Sequence, residues 1–113
     1  MEEVATHRLR LGPMTFSELE VLMEEEIFDY RGDLEITDPH NSNIVLWNGW
    51  NRDAVDVFNS LVARGAEVSD AELEDYRRLY RRVPDLPLAV DRRCAYTSPH
   101  WAPSLIALNE TDR

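Results

Sequence analysis

Apolar positions in this chain fall into short runs whose spacing changes repeatedly, and each change marks an element boundary. From Thr6 to Leu11 the pattern alternates, with His7, Leu9 and Leu11 on one side and Arg8 and Arg10 on the other, which predicts a short edge strand closed by Gly12-Pro13. Thr15-Phe16-Ser17-Glu18 then fits a capping box, and Phe16, Leu19, Leu22, Met23 and Ile27 recur at helical spacing. Those five should face the core, with Glu18, Glu20, Glu24 and Glu25 on the opposite side. Tyr30-Arg31-Gly32-Asp33 reads as the exit turn, with Gly32 as the helix cap.

Leu34 to Thr37 and Ile44 to Trp47 read as two strands of a hairpin, joined through Asp38–Asn43 by a loop longer than the tight two-residue type. Asn51 is a good N-cap for a helix whose stripe is Ala54, Val55, Phe58, Leu61 and Val62, and Arg64-Gly65 suits its end. Ser69-Asp70-Ala71-Glu72 reads as a second capping box. The helix after it should run to about Arg82, turning Leu73, Tyr76, Tyr80 and Val83 inward and Arg77, Arg78, Arg81 and Arg82 to water. Pro84 stops it. Leu86–Val90 reads as a strand kept near an edge by Pro87, and Leu105–Leu108 as a last strand. Residues 109–113 are a polar, frayed end.

The order β-α-β-β-α-α-β-β implies an α+β fold, a small and mostly antiparallel sheet with about three helices on one face. A winged-helix-like variant is compatible, because two consecutive helices precede a β-rich end. At 113 residues the chain fits one domain spanning 1–113.

Composition narrows the class. One cysteine excludes an internal disulfide framework, and no run reaches the roughly 18 apolar residues of a membrane span. The acidic start Met1-Glu2-Glu3 lacks the apolar run of a signal peptide, so a soluble cytoplasmic protein is expected.

Charge changes the picture most. There are 22 acidic residues against 12 basic ones, all arginine, for a net charge of −10. Residues 1–60 hold 13 acids and 4 arginines, whereas 61–113 hold 9 and 8. Met14–Asp38 carries nine acids and only Arg31, while Arg77–Arg93 carries six arginines against Asp85 and Asp91. A field of this sign repels phosphate, so direct nucleic-acid binding is disfavoured and a basic partner is favoured. Acidity of this kind also serves plain solubility.

Candidate chemistry is sparse. His7, His40, His100 and Cys94 lack the paired short spacing of a structural metal site. Cys94 follows Arg92 and Arg93, which favour a thiolate, and His100 is a conceivable base, yet no local signature surrounds them. Glycines are not spaced for a phosphate loop. The sequence therefore assigns no catalytic residue, metal or cofactor, and the protein reads as a non-enzymatic interaction protein. Its partner surface would comprise Glu18, Glu20, Glu24, Glu25, Asp29, Asp33 and Glu35, with Trp50 and Trp101 as aromatic anchors. On that reading it docks on a basic protein, one that itself holds nucleic acid, as an inhibitor or DNA mimic of phage or mobile-element type. The alternatives are a DNA-binding regulator reading through Arg77, Arg78, Arg81, Arg82, Arg92 and Arg93, or a virion or assembly subunit in which neighbouring copies of a homo-oligomer pair acid to base.

Overall fold

The computed structural model describes residues 1–79 and 81–109. The fold is α+β, with four helices and two small three-stranded sheets in place of the single sheet expected.

The first element corrects the alternating reading. Glu2–Arg10 is a helix, α1, not an edge strand. Ala5 and Leu9, four apart, are the residues that pack inward, while His7 and Leu11 stay exposed. Acids in its first turn and bases in its last suit the helix dipole. Two residues, Met14–Thr15 (β1), then lead into α2, Phe16–Glu25. The capping box forms as expected: Glu18 N–H donates to Thr15 Oγ1 at 3.0 Å and Thr15 N–H to Glu18 Oε1 at 3.1 Å.

The end of α2 departs from expectation. Phe28 N–H reaches Met23 O at 2.8 Å and Ile27 N–H reaches Glu24 O at 3.1 Å, a Schellman closure. Ile27, not Gly32, takes the left-handed position, with φ 54°. Ile27 is therefore 94% exposed and leaves the core stripe. Gly32 lies in strand β2, Arg31–Asp38, where a Cβ would sit 2.7 Å from the Asn51 backbone.

Strand β2 pairs antiparallel with β3, Asn41–Trp50, through several register shifts. Their loop is the two residues Pro39-His40, tighter than expected, because Asp38 Oδ1 accepts from His40 N–H at 2.8 Å and closes the turn locally. Helix α3, Arg52–Ala63, starts on Asn51, whose side chain accepts from Ala54 N–H, and ends before Gly65 at φ 102°, both as expected.

Ala66–Asp70 is a strand, β4, so Ser69 does not cap a helix. Its five residues pair in unbroken register with β6, Ser104–Leu108. Sheet pairing thus separates the two helices that a winged-helix arrangement requires in tandem. Helix α4 is only Leu73–Arg77, and its box is Glu72 with Asp75. Beyond it, Arg81 and Arg82 lie outside any helix and both reach the one buried carboxylate of Glu20. Tyr80, expected to point inward, lies outside the described residues, as does the tail from 110 to 113.

Leu86–Val90 is not a strand: Leu88 makes one isolated parallel bridge to Trp101, and Val90 is 94% exposed. Trp101 N–H donates to Pro87 O and Ala89 N–H to Trp101 O, each at 2.8 Å, which is all the pairing this proline-interrupted stretch makes. His100–Trp101 is β5, parallel to β3. The sheets are thus β1-β6-β4 and β2-β3-β5, with β2 and β4 as outer strands.

The core between them is aromatic. Trp47 stacks on Phe16 at 5.7 Å and on Tyr76 at 5.6 Å, and Tyr76 meets Trp101 edge-on at 5.1 Å. The Tyr76 hydroxyl donates to Ser104 O at 2.6 Å and accepts from Phe16 N–H at 3.2 Å, tying α2 to β6. Burial pushes that hydroxyl's pKa upward.

Candidate interaction surface

The acids assigned to one outward face of α2 do not stay together. Glu20 is wholly buried. On the helix it follows Phe16 by four positions and precedes Met23 by three, so it shares their buried side and projects toward the β3 tryptophans. Its Oε2 accepts from Trp47 Nε1 and Trp50 Nε1, both at 2.9 Å, and from Arg82 Nη2 at 2.8 Å. Its Oε1 meets Arg81 Nη2 at 3.4 Å. The carboxylate is therefore a packing hub, with three donors on Oε2 and Arg81 at Oε1, and not a partner contact.

Around it the arginine segment is fastened down. Arg82 lies over the Trp47 ring at 5.0 Å and donates to Asn48 O. Gly49, at φ 83°, leaves the space: a Cβ there would sit 2.7 Å from Arg82 Nη2. Arg81 pairs with Glu24 at 2.6 Å, and the Tyr30 hydroxyl donates to the same Glu24. The Arg81 bond, then the Tyr30 bond, hold the Glu24 pKa at about 2. Burial, then the bond to Glu24, push the Tyr30 hydroxyl up. Glu18 pairs with Arg8 at 3.1 Å.

The other positions sort clearly. Glu25, Asp29, Asp33 and Glu35 are exposed, and Asp29 has Arg31 at 3.9 Å. Trp50 and Trp101 are 1% and 2% exposed, so neither is a surface anchor; a two-layer core this small needs its largest side chains inside. The arginine helix of the nucleic-acid reading does not form. Arg77 and Arg78 pair with Glu74 and Asp75 one turn back, and Arg81 and Arg82 turn inward. Arg92 pairs with Asp70 at 2.7 Å and Asp38 at 3.9 Å, and Arg93 with Asp91 at 3.1 Å.

Cys94 is exposed, while His100 stacks on Tyr96 at 3.8 Å and faces Ser98 O through Nδ1. Among the described residues no hydrogen bond joins Cys94 to His100, and no three His, Cys, Asp or Glu side chains gather as a metal set. No described helix is long and apolar enough to cross a membrane.

Sequence reasoning missed a groove of about 700 Å³ between β2, α3 and β4. A signal was present. The apolar arc of α3 is wider than its core contact needs: Ala54, Phe58 and Leu61 are buried, but Val62 is 45% exposed and Val55 half-buried. These two valines face the groove.

No family model, curated protein or solved structure matches this chain.

Proposed function

We propose that the protein is a non-catalytic binding protein that engages a cationic protein partner, through carboxylates on its β2–α3 side and the adjoining end of α2. One observation carries the reading. Arg8, Arg31, Arg77, Arg78, Arg81, Arg82, Arg92 and Arg93 are all engaged by acids of the same chain. Among the described residues, none of the exposed Glu25, Glu26, Asp33, Glu35, Asp53 and Asp56 has an ion-pair partner. Against these six carboxylates on the end of α2, β2 and α3 stand only the unpaired Arg52 and Arg64 at the ends of α3, so this side of the described residues keeps a net negative charge.

This reading keeps the basic partner and gives up imitation of a DNA strand, because Glu18, Glu20 and Glu24 of the α2 row are tied to internal arginines. A partner that holds nucleic acid on the same basic surface would be inhibited by competition. Internal pairing of eight arginines leaves Arg10, Arg52 and Arg64 as the described ones without an ion pair, which argues against acid-to-base assembly of identical copies. The test is a pull-down from a lysate of the source organism across a salt series, with the native chain and the variant Glu25→Gln, Glu26→Gln, Asp33→Asn, Glu35→Gln. The native chain should retain a partner at about 0.1 M salt and release it as salt rises. Identical retention by the variant, with the same salt response, overturns the proposal.

A further inference from the structure

The groove has an apolar floor and an acidic margin. Ile36, Leu46, Val55, Phe58, Val62 and Val68 supply the floor. Glu35 on β2 and Glu67 on β4 stand at its margins, both exposed. Arg92, the one arginine lining it, is already shared between Asp38 and Asp70. The margin thus has two carboxylates free of any described cation, plus a third negative charge left over from the Asp38–Arg92–Asp70 group. An apolar floor under a margin of this sign is complementary to large aliphatic side chains flanked by cations.

The two outer strands that border the groove, β2 and β4, argue for the form of the occupant. Strand β2 is broken by register shifts at four places, and β4 has only five residues. Neither offers the long regular ladder that an added strand needs, so side chains, not backbone, would make the contact. We infer that this groove is the docking site of a cationic amphipathic helix of another protein, which lays its aliphatic face on Val55, Val62 and Val68 and sets arginine or lysine against Glu35 and Glu67. The inference rests on the binding reading above and gives it a location and a partner chemistry.

A labelled peptide helix of about four turns, with leucines along one face and arginines beside them, is the probe. Fluorescence anisotropy should show saturable binding that weakens with salt, and none for the same peptide with glutamates replacing the arginines. Val62→Asn, a change at a partly exposed site, should weaken binding about fivefold to tenfold through lost apolar burial. Glu35→Lys with Glu67→Lys should weaken it more than tenfold. Glu3→Gln with Asp85→Asn, exposed carboxylates outside both the groove and the proposed surface, should leave it within about twofold. Thermal melts of each variant confirm folding. The inference fails if the groove variants bind as the native chain does, or if the Glu3/Asp85 variant loses as much affinity as they do. It also fails if the free protein is a dimer that Val62→Asn dissociates, since a second copy then fills the groove. In the lysate assay, a salt-sensitive partner kept by Val62→Asn overturns the groove alone. A partner that ignores salt overturns the electrostatic reading itself.

Discussion

Replacing Glu20 tests whether the buried carboxylate organises the core. Glu20→Ala orphans two buried indole N–H groups, at about 1–3 kcal/mol each, and removes one side of a buried ion pair, a change that costs about 3–5 kcal/mol in comparable sites. These overlap, because the same lost carboxylate is counted in both. Arg81 and Arg82 keep 24% and 42% of their side-chain surface, so water partly replaces the lost partner. The expected loss is therefore about 4 kcal/mol, a large share of the roughly 5–15 kcal/mol that holds a domain of this kind together. Glu20→Gln keeps an acceptor for the indoles and loses only the charge-assisted part, so about 1–2 kcal/mol is expected. Urea unfolding followed by tryptophan emission reads both, since Trp47 and Trp50 are the residues that lose their acceptor. A double-mutant cycle of Glu20→Gln with Arg82→Ala should show a coupling of about 1 kcal/mol. A Glu20→Ala loss below about 1 kcal/mol, or equal losses for alanine and glutamine, refutes the hub.

Glu24 has a folded pKa of about 2 against an ordinary 4.5, held down by Arg81 and then Tyr30. A depressed carboxylate stabilises fully above its unfolded pKa and ceases to do so as pH falls through the folded one. The melting temperature should thus decline between about pH 4.5 and 2, and decline less steeply in Glu24→Gln. Tyr76→Phe removes the donor to Ser104 O and the acceptor of the Phe16 amide, and thermal melts should show a loss of about 1–3 kcal/mol. Ile27→Gly should stabilise by about 0.5–1 kcal/mol in urea unfolding, because relief of a β-branched residue at positive φ exceeds the entropy cost of glycine and no packing is lost.

The parts of the fold legible in the sequence are those fixed by local chemistry. The Thr15–Glu18 box, the Asn51 cap, Gly65 and the hairpin strands all depend on neighbours within a few positions. What was illegible depends on distant partners. Strand β4 exists because β6, some 38 positions later, pairs with it. Helix α1 looks alternating only because Leu9 is buried while Leu11 is not, a distinction set by packing. Glu20 stands four after Phe16 and three before Met23, on the buried side of α2, yet a glutamate among three others on a helix reads as solvated; the two β3 indoles and the two arginines give it its interior place.

The same long-range contacts decide where the charge acts. Along the chain, the negative stretch Met14–Asp38 and the positive stretch Arg77–Arg93 are separate. Folding lays the second across parts of the first: Arg81 and Arg82 cancel acids of α2, and Arg92 draws in Asp38. The pairs on the buried Glu20 carboxylate are screened less by salt than fully exposed charges. Six of the uncancelled carboxylates lie further on, from Glu25 through β2 into α3, where Glu35 also borders the apolar groove. On the proposed reading, a cationic partner would be steered to the side of the molecule that also offers unburied valine, so that charge and apolar surface act at one place.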